Sequence, residues 1–170
     1  MALLPIIQYP HPILASKALP VTEFNDELRQ LAADMAETMY QAPGVGLAAN
    51  QVGVLKRIVV IDISDEKNDL HVLVNPRILT HTDTSKEFEE GCLSLKGLYE
   101  KISRPDGVTV EAQNLDGTTI QISATGLLAV CLQHELDHLD GHVFIDHLSR
   151  LKKDRACVKL RKLRRNEQKN

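Results

Sequence analysis

The sequence predicts an α+β domain in which antiparallel β-sheets pack around a central helix, with a further helix at the C-terminus. Three observations favour this class: an amphipathic helical pattern before the first strand, short β-branched runs with a hairpin signal, and two helical segments after them. Because strands and helices do not alternate regularly, a doubly wound parallel sheet is not expected. The 170 residues, 43% hydrophobic and 25% charged, have the composition of one globular domain.

The first quarter of the chain predicts an extended segment and then a helix. Residues 1–24 are rich in proline and apolar residues without a sustained period. Asn25, a favoured N-cap residue, is expected to start a helix that runs to about Gln41. The apolar positions of this helix share a single face. They are Leu28, Leu31, Ala32, Met35 and Met39. The P-G-V-G run at 43–46 then ends the helix.

The middle of the chain predicts strands. Residues 57–63 and 71–75 are short runs rich in β-branched side chains. Residues 108–112 and 120–122 alternate between apolar and polar side chains on either side of Asp116-Gly117. Because Asp-Gly between two alternating runs is typical of a tight hairpin, we expect an antiparallel strand pair here.

Two helices are predicted after the hairpin. Residues 124–140 form a largely apolar stretch without proline, and Gly141 is placed to end it. A third helix is expected over about 148–165, where leucine and valine alternate with lysine and arginine. These features divide the chain into a body, residues 1–149, and a basic C-terminal helix or tail, residues 150–170.

The net charge of −3 hides a strong asymmetry. Residues 150–170 hold ten Lys/Arg and two Asp/Glu (+8), whereas residues 1–149 hold ten against twenty-one (−11). A basic tail on an acidic body indicates a polyanionic or acidic partner, the simpler alternative being a solvated terminus.

The sequence has no apolar stretch of the roughly 18–20 residues that a membrane span needs, and no secretory signal is visible. Its three cysteines make a disulfide framework unexpected. We therefore expect a cytoplasmic monomer without a membrane partner.

The sharpest chemical feature is the sequence H-E-L-D-H at residues 134–138, inside the second predicted helix. Residues four apart lie on one helical face, about 6 Å apart along the axis, so His134 and His138 can reach one cation. Glu135 is rotated by about 100° from His134, which suits a general base beside the metal better than a third ligand. The alternative is a charged helix whose histidines coincide by chance.

A hydrolytic site of this type usually has three protein ligands and one open position, so the third ligand must be found elsewhere. One protease group would place a histidine at position 144, where this chain has Phe144, and His142 falls two residues early. Glu167 is the only glutamate downstream of the helix, and it lies among basic residues. None of these is a good candidate.

Two cysteines are the remaining candidates. Cys131 lies on the same helix, about 10 Å of rise from His138, and is more naturally a packed core thiol. Cys92 follows Gly91 and precedes the hairpin, so a sheet can bring its thiol to the two histidines. By itself, Cys92 would more often be a small buried side chain.

A third segment, G-V-G-L-A-A-N-Q at residues 44–51, has two glycines that allow a tight turn and the close approach of another backbone. It is not a phosphate-binding loop, because no Gly-Lys-Ser/Thr follows and a third glycine is lacking. In isolation it indicates a helix stop followed by a buried connection.

Taken together, these segments resemble the hallmarks of the peptide deformylase family, which are G-x-G-L-A-A-x-Q, E-G-C-L-S and Q-H-E-x-D-H-L. They stand here at residues 44–51, 90–94 and 133–139 in the same order, and the resemblance covers roughly residues 5–150. It implies that the body, residues 1–149, is a catalytic deformylase-like domain. Such a domain removes the N-formyl group from the initiator methionine of nascent polypeptides and releases formate.

The resemblance also assigns roles to individual residues. It implies that Cys92, His134 and His138 hold one divalent metal ion, Fe(II) in the first place, with Zn, Ni or Co able to substitute. It implies that Glu135 is the general acid/base. In bacterial members the C-terminal helix docks on the ribosome near the nascent-chain exit, a role that suits residues 150–170.

Further expectations concern substrate binding. The resemblance implies that the Gln51 side chain and the Leu93 backbone N–H steady the formyl oxygen. It also implies that Val45 and Gly46 lie on a strand that lines the substrate. Val130 and Cys131, one turn before the helical motif, are our candidates for the wall of an apolar methionine pocket.

The chain departs from its relatives at Lys96, where many have proline, and at Tyr99, in a region where bacterial relatives often carry arginine. Both changes concern the subsites for residues that follow the methionine. His142 and His147 are most simply surface histidines.

Two other functions of the protein stay open. One is a zinc endopeptidase of the H-E-x-x-H type, and the other is a non-catalytic metal-stabilised module that binds the ribosome or RNA.

Overall fold

The structure, a computed structural model, describes residues 2–169 and confirms the α+β class. The helices are α1 (Asp26–Gln41), α2 (Gly126–Leu139) and α3 (Arg150–Lys169). The strands are β1 (Gly46–Ala48), β2 (Ile58–Ile61), β3 (His71–His81), β4 (Ser85–Gly91), β5 (Tyr99–Pro105), β6 (Gly107–Gln113) and β7 (Thr119–Thr125). Short 3-10 turns lie at Pro12–Ala15, Ala49–Val52 and Phe144–His147.

The strands form two antiparallel sheets. The larger has the order β1-β2-β3-β6-β7, and β4 pairs with β5 in a separate two-stranded sheet. The hairpin predicted around Asp116-Gly117 is β6–β7, in which Gln113 pairs with Thr119. The small β4–β5 sheet was not predicted, because its strands are too polar to show an apolar alternation.

The large sheet is covered on both faces, which explains the unbroken apolar run of β2. Val59 and Ile61 pack with the α2 residues Leu132 and Leu139 in one cluster. Ile58 and Val60 pack with α1 residues in a second cluster, on the opposite face. All four β2 side chains are buried, as expected for a strand between two helices.

The two outer helices largely follow the sequence pattern. Asn25 caps α1 by accepting a hydrogen bond of 3.0 Å from the Leu28 N–H, and the predicted face of α1 fills the second cluster. Helix α3 starts at Arg150 and extends past the predicted end to Lys169. Its Ala156 and Leu160 are buried in a third cluster with the segment between β4 and β5. None of the helices in residues 2–169 is long and apolar enough to cross a membrane.

Helix α2 is the central helix. It lies against the large sheet through the first cluster, and it also contacts β5 through Asp137 and Arg104. Its end is set by Gly141, whose φ of +85° disfavours any side chain. A Cβ at this position would also lie 2.6 Å from the Ala15 carbonyl oxygen. The N-terminal segment therefore packs against the end of α2 only if residue 141 is glycine.

Asp62, at the end of β2, fastens the following loop to α1. Its carboxylate accepts hydrogen bonds from the Tyr40 hydroxyl at 2.6 Å, from Ser64, and from the Asp69 N–H at 3.2 Å. Burial alone would raise the pKa of Asp62, but the hydrogen bonds outweigh it and lower the pKa to about 2. The ionised form is therefore bound more tightly in the folded than in the unfolded chain.

We predict that Asp62→Asn lowers the free energy of unfolding by about 2 kcal/mol at pH 7. Because the pKa of Asp62 falls from an ordinary 3.8 to about 2 on folding, its contribution is complete above pH 4 and is lost as the pH falls toward 2. Urea unfolding of wild type and variant from pH 7 to 2.5 measures the difference. The exposed Asp65→Asn variant should follow the wild type throughout, and a wild-type advantage that grows on acidification would contradict the assignment.

Candidate active site

Helix α2 and the chain after β4 bring together three side chains that could hold one metal ion. One ligand atom each from Cys92, His134 and His138 lies within 4.8 Å of the other two. The Cys92 Sγ is 3.3 Å from the His138 Nε2. The two histidines follow from helical spacing, whereas Cys92 is placed only by the tertiary fold.

The N-terminal segment holds the Cys92 loop in place. The Tyr9 N–H donates to the Ser94 carbonyl oxygen at 2.8 Å, and the Gln8 side-chain amide donates to the Leu93 carbonyl oxygen at 2.9 Å. The extended segment predicted at residues 1–24 thus has a structural role at the site. It fixes the backbone on the C-terminal side of Cys92.

A buried carboxylate orients the first histidine. The Glu90 Oε1 is 3.0 Å from the His134 Nδ1, so a proton on Nδ1 leaves Nε2 and its lone pair for the metal. Burial alone would lower the pKa of His134, but hydrogen bonds with Cys92 and Glu90 raise the pKa well above its usual value. His138 differs, because burial lowers its pKa well below the usual value and keeps its ring neutral.

Arg104 completes this arrangement from β5. Its guanidinium donates two hydrogen bonds to Glu90, at 2.6 and 2.9 Å, and one to Asp137 at 2.9 Å. Asp137 in turn lies 2.7 Å from the His147 Nε2. His147, expected to be a surface histidine, therefore borders a charged network. Burial opposes ionisation of Glu90, but its bonds with His134 and Arg104 outweigh burial and lower the pKa of Glu90.

Glu135 is the one buried carboxylate beside the cluster that keeps a free oxygen. Its side chain is buried, and the Oε1 has no hydrogen-bond partner among residues 2–169. Burial raises the pKa of Glu135 to about 7. The backbone of β1 passes so close that a Cβ on Gly46 would lie 3.0 Å from the Glu135 Cδ, and closer still to its Oε2. A glycine at position 46 is therefore required for Glu135 to occupy this place.

Gln51 is fixed next to Cys92. Its Oε1 accepts a hydrogen bond of 2.9 Å from the Ala48 N–H. Its Nε2 donates to the Ser94 hydroxyl at 3.0 Å and lies 3.5 Å from the Cys92 Sγ. The amide nitrogen is thus directed toward the metal-binding cluster. Leu93, the other expected donor, follows Cys92 and lines the same cavity.

These groups line a cleft of about 850 Å³, which is large enough for more than one residue of a peptide. All four expected substrate residues, Val45, Gly46, Val130 and Cys131, line it. Burial raises the pKa of Cys131 to about 12, which fits a neutral thiol in an apolar wall. The structure therefore brings every expected site residue except His138 to the lining of one cavity, and His138 is buried beside Cys92.

The other candidate ligands lie elsewhere. Phe144 stacks on His134, with 6.0 Å between the ring centroids, so the position that one protease group would fill with histidine is an apolar support. The His142 and Glu167 side chains are each 61% exposed. Neither reaches the cluster of Cys92 and the two α2 histidines.

Sequence reasoning missed the residues that support the site. Glu90 was noted only as part of a motif, and Arg104 and Ser94 were given no role. A lone arginine in a polar strand carries no local signal. The pairing of β4 with β5 places Arg104 opposite Lys86, and only the long Arg104 side chain reaches Glu90, four residues further along β4.

We predict that Arg104→Met lowers the free energy of unfolding by about 3–5 kcal/mol, because Glu90 and Asp137 are left without their buried counter-charge. Urea unfolding in the presence of a chelator measures this, so that metal affinity does not enter. Arg77→Met is the matched control, since Arg77 pairs with Glu111 on the surface and its side chain is 67% exposed. We expect a loss below about 1 kcal/mol for that variant. Equal losses for both would contradict the structural role of Arg104.

Comparison with known proteins gives a consistent result. Residues 3–154 match the family model described as polypeptide deformylase. The chain is 52% identical over 165 residues to peptide deformylase 1 of Burkholderia multivorans, covering 97% of this chain and 91% of that protein.

Solved structures agree with the sequence comparison. A peptide deformylase from Legionella pneumophila has a TM-score of 0.94 and 46% identity, and the match covers 99% of both chains. The Ehrlichia chaffeensis enzyme, solved in complex with actinonin, has a TM-score of 0.90 and 38% identity, covering 95% of this chain and 98% of the other. The chain therefore belongs to the polypeptide deformylase family.

Proposed function

We propose that this enzyme hydrolyses the N-formyl group from the N-terminal formyl-methionine of nascent polypeptides and releases formate. The observation that carries the proposal is the cluster of Cys92, His134 and His138. Cys92 and His134 line a cleft together with Glu135, whose Oε1 has no hydrogen-bond partner among residues 2–169. The names of the relatives support the reaction class. The endopeptidase and the non-catalytic RNA-binding module are not favoured.

The cluster fits a divalent metal ion. One thiol and two imidazoles within 4.8 Å of one another are a donor set suited to Fe(II), Zn, Ni or Co. We propose Fe(II) as the metal used in the cell, with the other three able to substitute. A bound divalent ion would lower the pKa of a water molecule that it holds toward neutrality and would polarise the formyl carbonyl. Cys92 as a thiolate lowers the formal charge of the site from +2 to +1.

Glu135 handles the proton of the reaction. Its carboxylate accepts the proton of the attacking water, and the same group delivers that proton to the amide nitrogen as the C–N bond breaks. The free Oε1 is available because no side chain or backbone group in residues 2–169 occupies it. The other oxygen occupies the space that a Cβ at position 46 would need, so the glycine leaves room for the carboxylate.

The carbonyl oxygen needs donors as negative charge develops on it. We assign this role to the Gln51 Nε2 and the Leu93 backbone N–H, which flank Cys92. The bonds from Ala48 and to Ser94 hold the Gln51 amide in one orientation, so little reorganisation is required during the reaction.

The peptide is expected to bind as an added strand. In the described sheets, β1 pairs only with β2 and β4 pairs only with β5, so each has a free edge. Both edges face the cleft, through Val45 and Gly46 on one side and residues 89–91 on the other. A free edge offers unpaired backbone groups to an extended chain. The methionine side chain then enters the apolar wall of Val130 and Cys131.

We propose that residues 150–170 are the part of the protein that meets the ribosome near the nascent-chain exit, and that the protein is a cytoplasmic monomer. The local charge of +8 supports contact with ribosomal RNA. Cutting the chain after Ser149 would expose the third cluster, because Ala156 and Leu160 are buried there. Charge reversal on the exposed face of α3 is therefore the cleaner test of this role.

We predict that Glu135→Gln reduces formate release from formyl-Met-Ala by about 10²–10⁴-fold, because the proton acceptor is lost. Metal content, measured by elemental analysis after anaerobic reconstitution, should stay at the wild-type level. The exposed Glu66→Gln variant controls for a general loss of charge. Cleavage of a blocked internal peptide would favour the endopeptidase, and full activity of Glu135→Gln would refute the assigned proton transfer.

We predict that the triple variant Lys152→Glu, Arg155→Glu, Lys162→Glu co-sediments less with ribosomes than the wild type, because three exposed cations on α3 are reversed. The difference should shrink as salt rises, since the contact is electrostatic.

The matched control carries Lys17→Glu, Lys86→Glu and Lys101→Glu, three exposed changes outside α3. Formate release from a free peptide shows that each variant is folded. Equal ribosome binding by the two triple variants would contradict a specific role of α3.

A further inference from the structure

Lys96 gives the rim of the active-site cleft a positive charge that the reaction does not use. Among the described residues that line the cleft, it is the only lysine or arginine, and the exposed acidic group on the lining is Glu89. Glu90 and Glu135 are buried, and Glu90 is paired with Arg104. The lining of the outer cleft therefore carries two exposed charges of opposite sign, Lys96 and Glu89.

The position of Lys96 suits contact with a bound peptide and not participation in the hydrolysis. It lies four residues after Cys92, in the segment that connects β4 to β5. Lys96 and Tyr99 line the same cleft as Cys92 and Glu135. Because Glu135 is buried and Lys96 is exposed, we expect Lys96 to contact peptide residues beyond the group that reacts.

The ammonium of Lys96 is available for such a contact. The side chain is 75% exposed, and the Nζ lies 3.8 Å from the Glu167 carboxylate on α3, at the outer limit for an ion pair. Glu167 is itself 61% exposed, so the pair is solvated and weak. An incoming carboxylate can replace Glu167 at little cost.

Tyr99 supplies an apolar surface beside this charge. It pairs with Gly91 across β4 and β5, and a Cβ on Gly91 would fall 2.5 Å from the Tyr99 Cε1. The ring therefore lies over the glycine next to Cys92, yet the residue is 62% exposed. The rim thus combines an exposed aromatic ring with an exposed cation.

We propose that Lys96 is a specificity-determining residue that favours peptides with acidic side chains directly after the formyl-methionine. The inference rests on the proposed deformylase function and names the substrate class that this chain prefers. The acidic side chain takes the place of Glu167 beside the Lys96 Nζ, while the peptide backbone passes over Tyr99.

The test compares two amidated peptides, formyl-Met-Glu-Glu-Ala and formyl-Met-Gln-Gln-Ala, which differ only in charge. The readout is the ratio of their kcat/KM values within each protein, so that overall activity cancels. We expect Lys96→Met to lower the ratio of acidic to neutral peptide by about two- to fivefold, and Lys96→Glu to lower it further. Glu89 acts on both proteins alike, so the change isolates Lys96.

Three further measurements sharpen the test. The effect should lie in KM with kcat unchanged, because the charge is remote from the reacting atoms. It should vanish near 1 M salt, where charges are screened within about 3 Å. Glu167→Gln should raise the ratio, because it removes the competing carboxylate.

Lys101→Met, an exposed lysine on β5 that does not line the cleft, is the control and should keep the wild-type ratio. A ratio that Lys96→Met leaves unchanged overturns this inference while hydrolysis of both peptides upholds the proposed function. A wild type that releases formate from neither peptide overturns both.

Discussion

The buried ion pair between Glu90 and Arg104 is the interaction on which the site depends. It joins three elements, because Glu90 ends β4, Arg104 lies in β5, and both contact α2 through His134 and Asp137. A carboxylate and a guanidinium that are each 3% exposed are stable there only because each satisfies the other. The same pair orients the His134 ring, so the stability of the fold and the geometry of the metal-binding cluster share one cause.

The two sheets have different tasks around this pair. The large sheet is covered by α1 and α2 and supplies most of the apolar core. The small β4–β5 sheet contributes little apolar area, but it carries Glu90, Arg104 and the loop with Cys92. The unpaired edges of β1 and β4 border the cleft. An extended peptide in the cleft can therefore form backbone hydrogen bonds with them.

Burial raises the pKa of two neighbouring carboxylates of the site, but only Glu90 has hydrogen bonds and counter-charges that outweigh it. Glu90 is held ionised by Arg104 and His134, whereas Glu135, without a hydrogen-bond partner for its Oε1, has its pKa raised to about 7 by burial. One acid is therefore structural and the other is free to exchange a proton. The glycine at 46 matters because any larger residue would take the space of the Glu135 carboxylate.

Local spacing in the sequence was sufficient for much of this protein. The α1 face, the Asn25 cap, the β6–β7 hairpin and the presentation of His134 and His138 on one helical face all follow from contacts within a few residues. Helix geometry argued against Cys131 as a ligand, but resemblance to a family was needed to assign Cys92, because its own surroundings in the sequence equally suit a small buried side chain.

Only the tertiary structure decided how Glu90, Arg104 and Asp137 combine, and that Ala156 and Leu160 of the basic C-terminal helix are buried. The reason is physical. Helix and turn geometry fixes the distance between residues close in sequence, whereas Arg104 meets partners 14 and 33 residues away that only the packing of strands against a helix brings within reach.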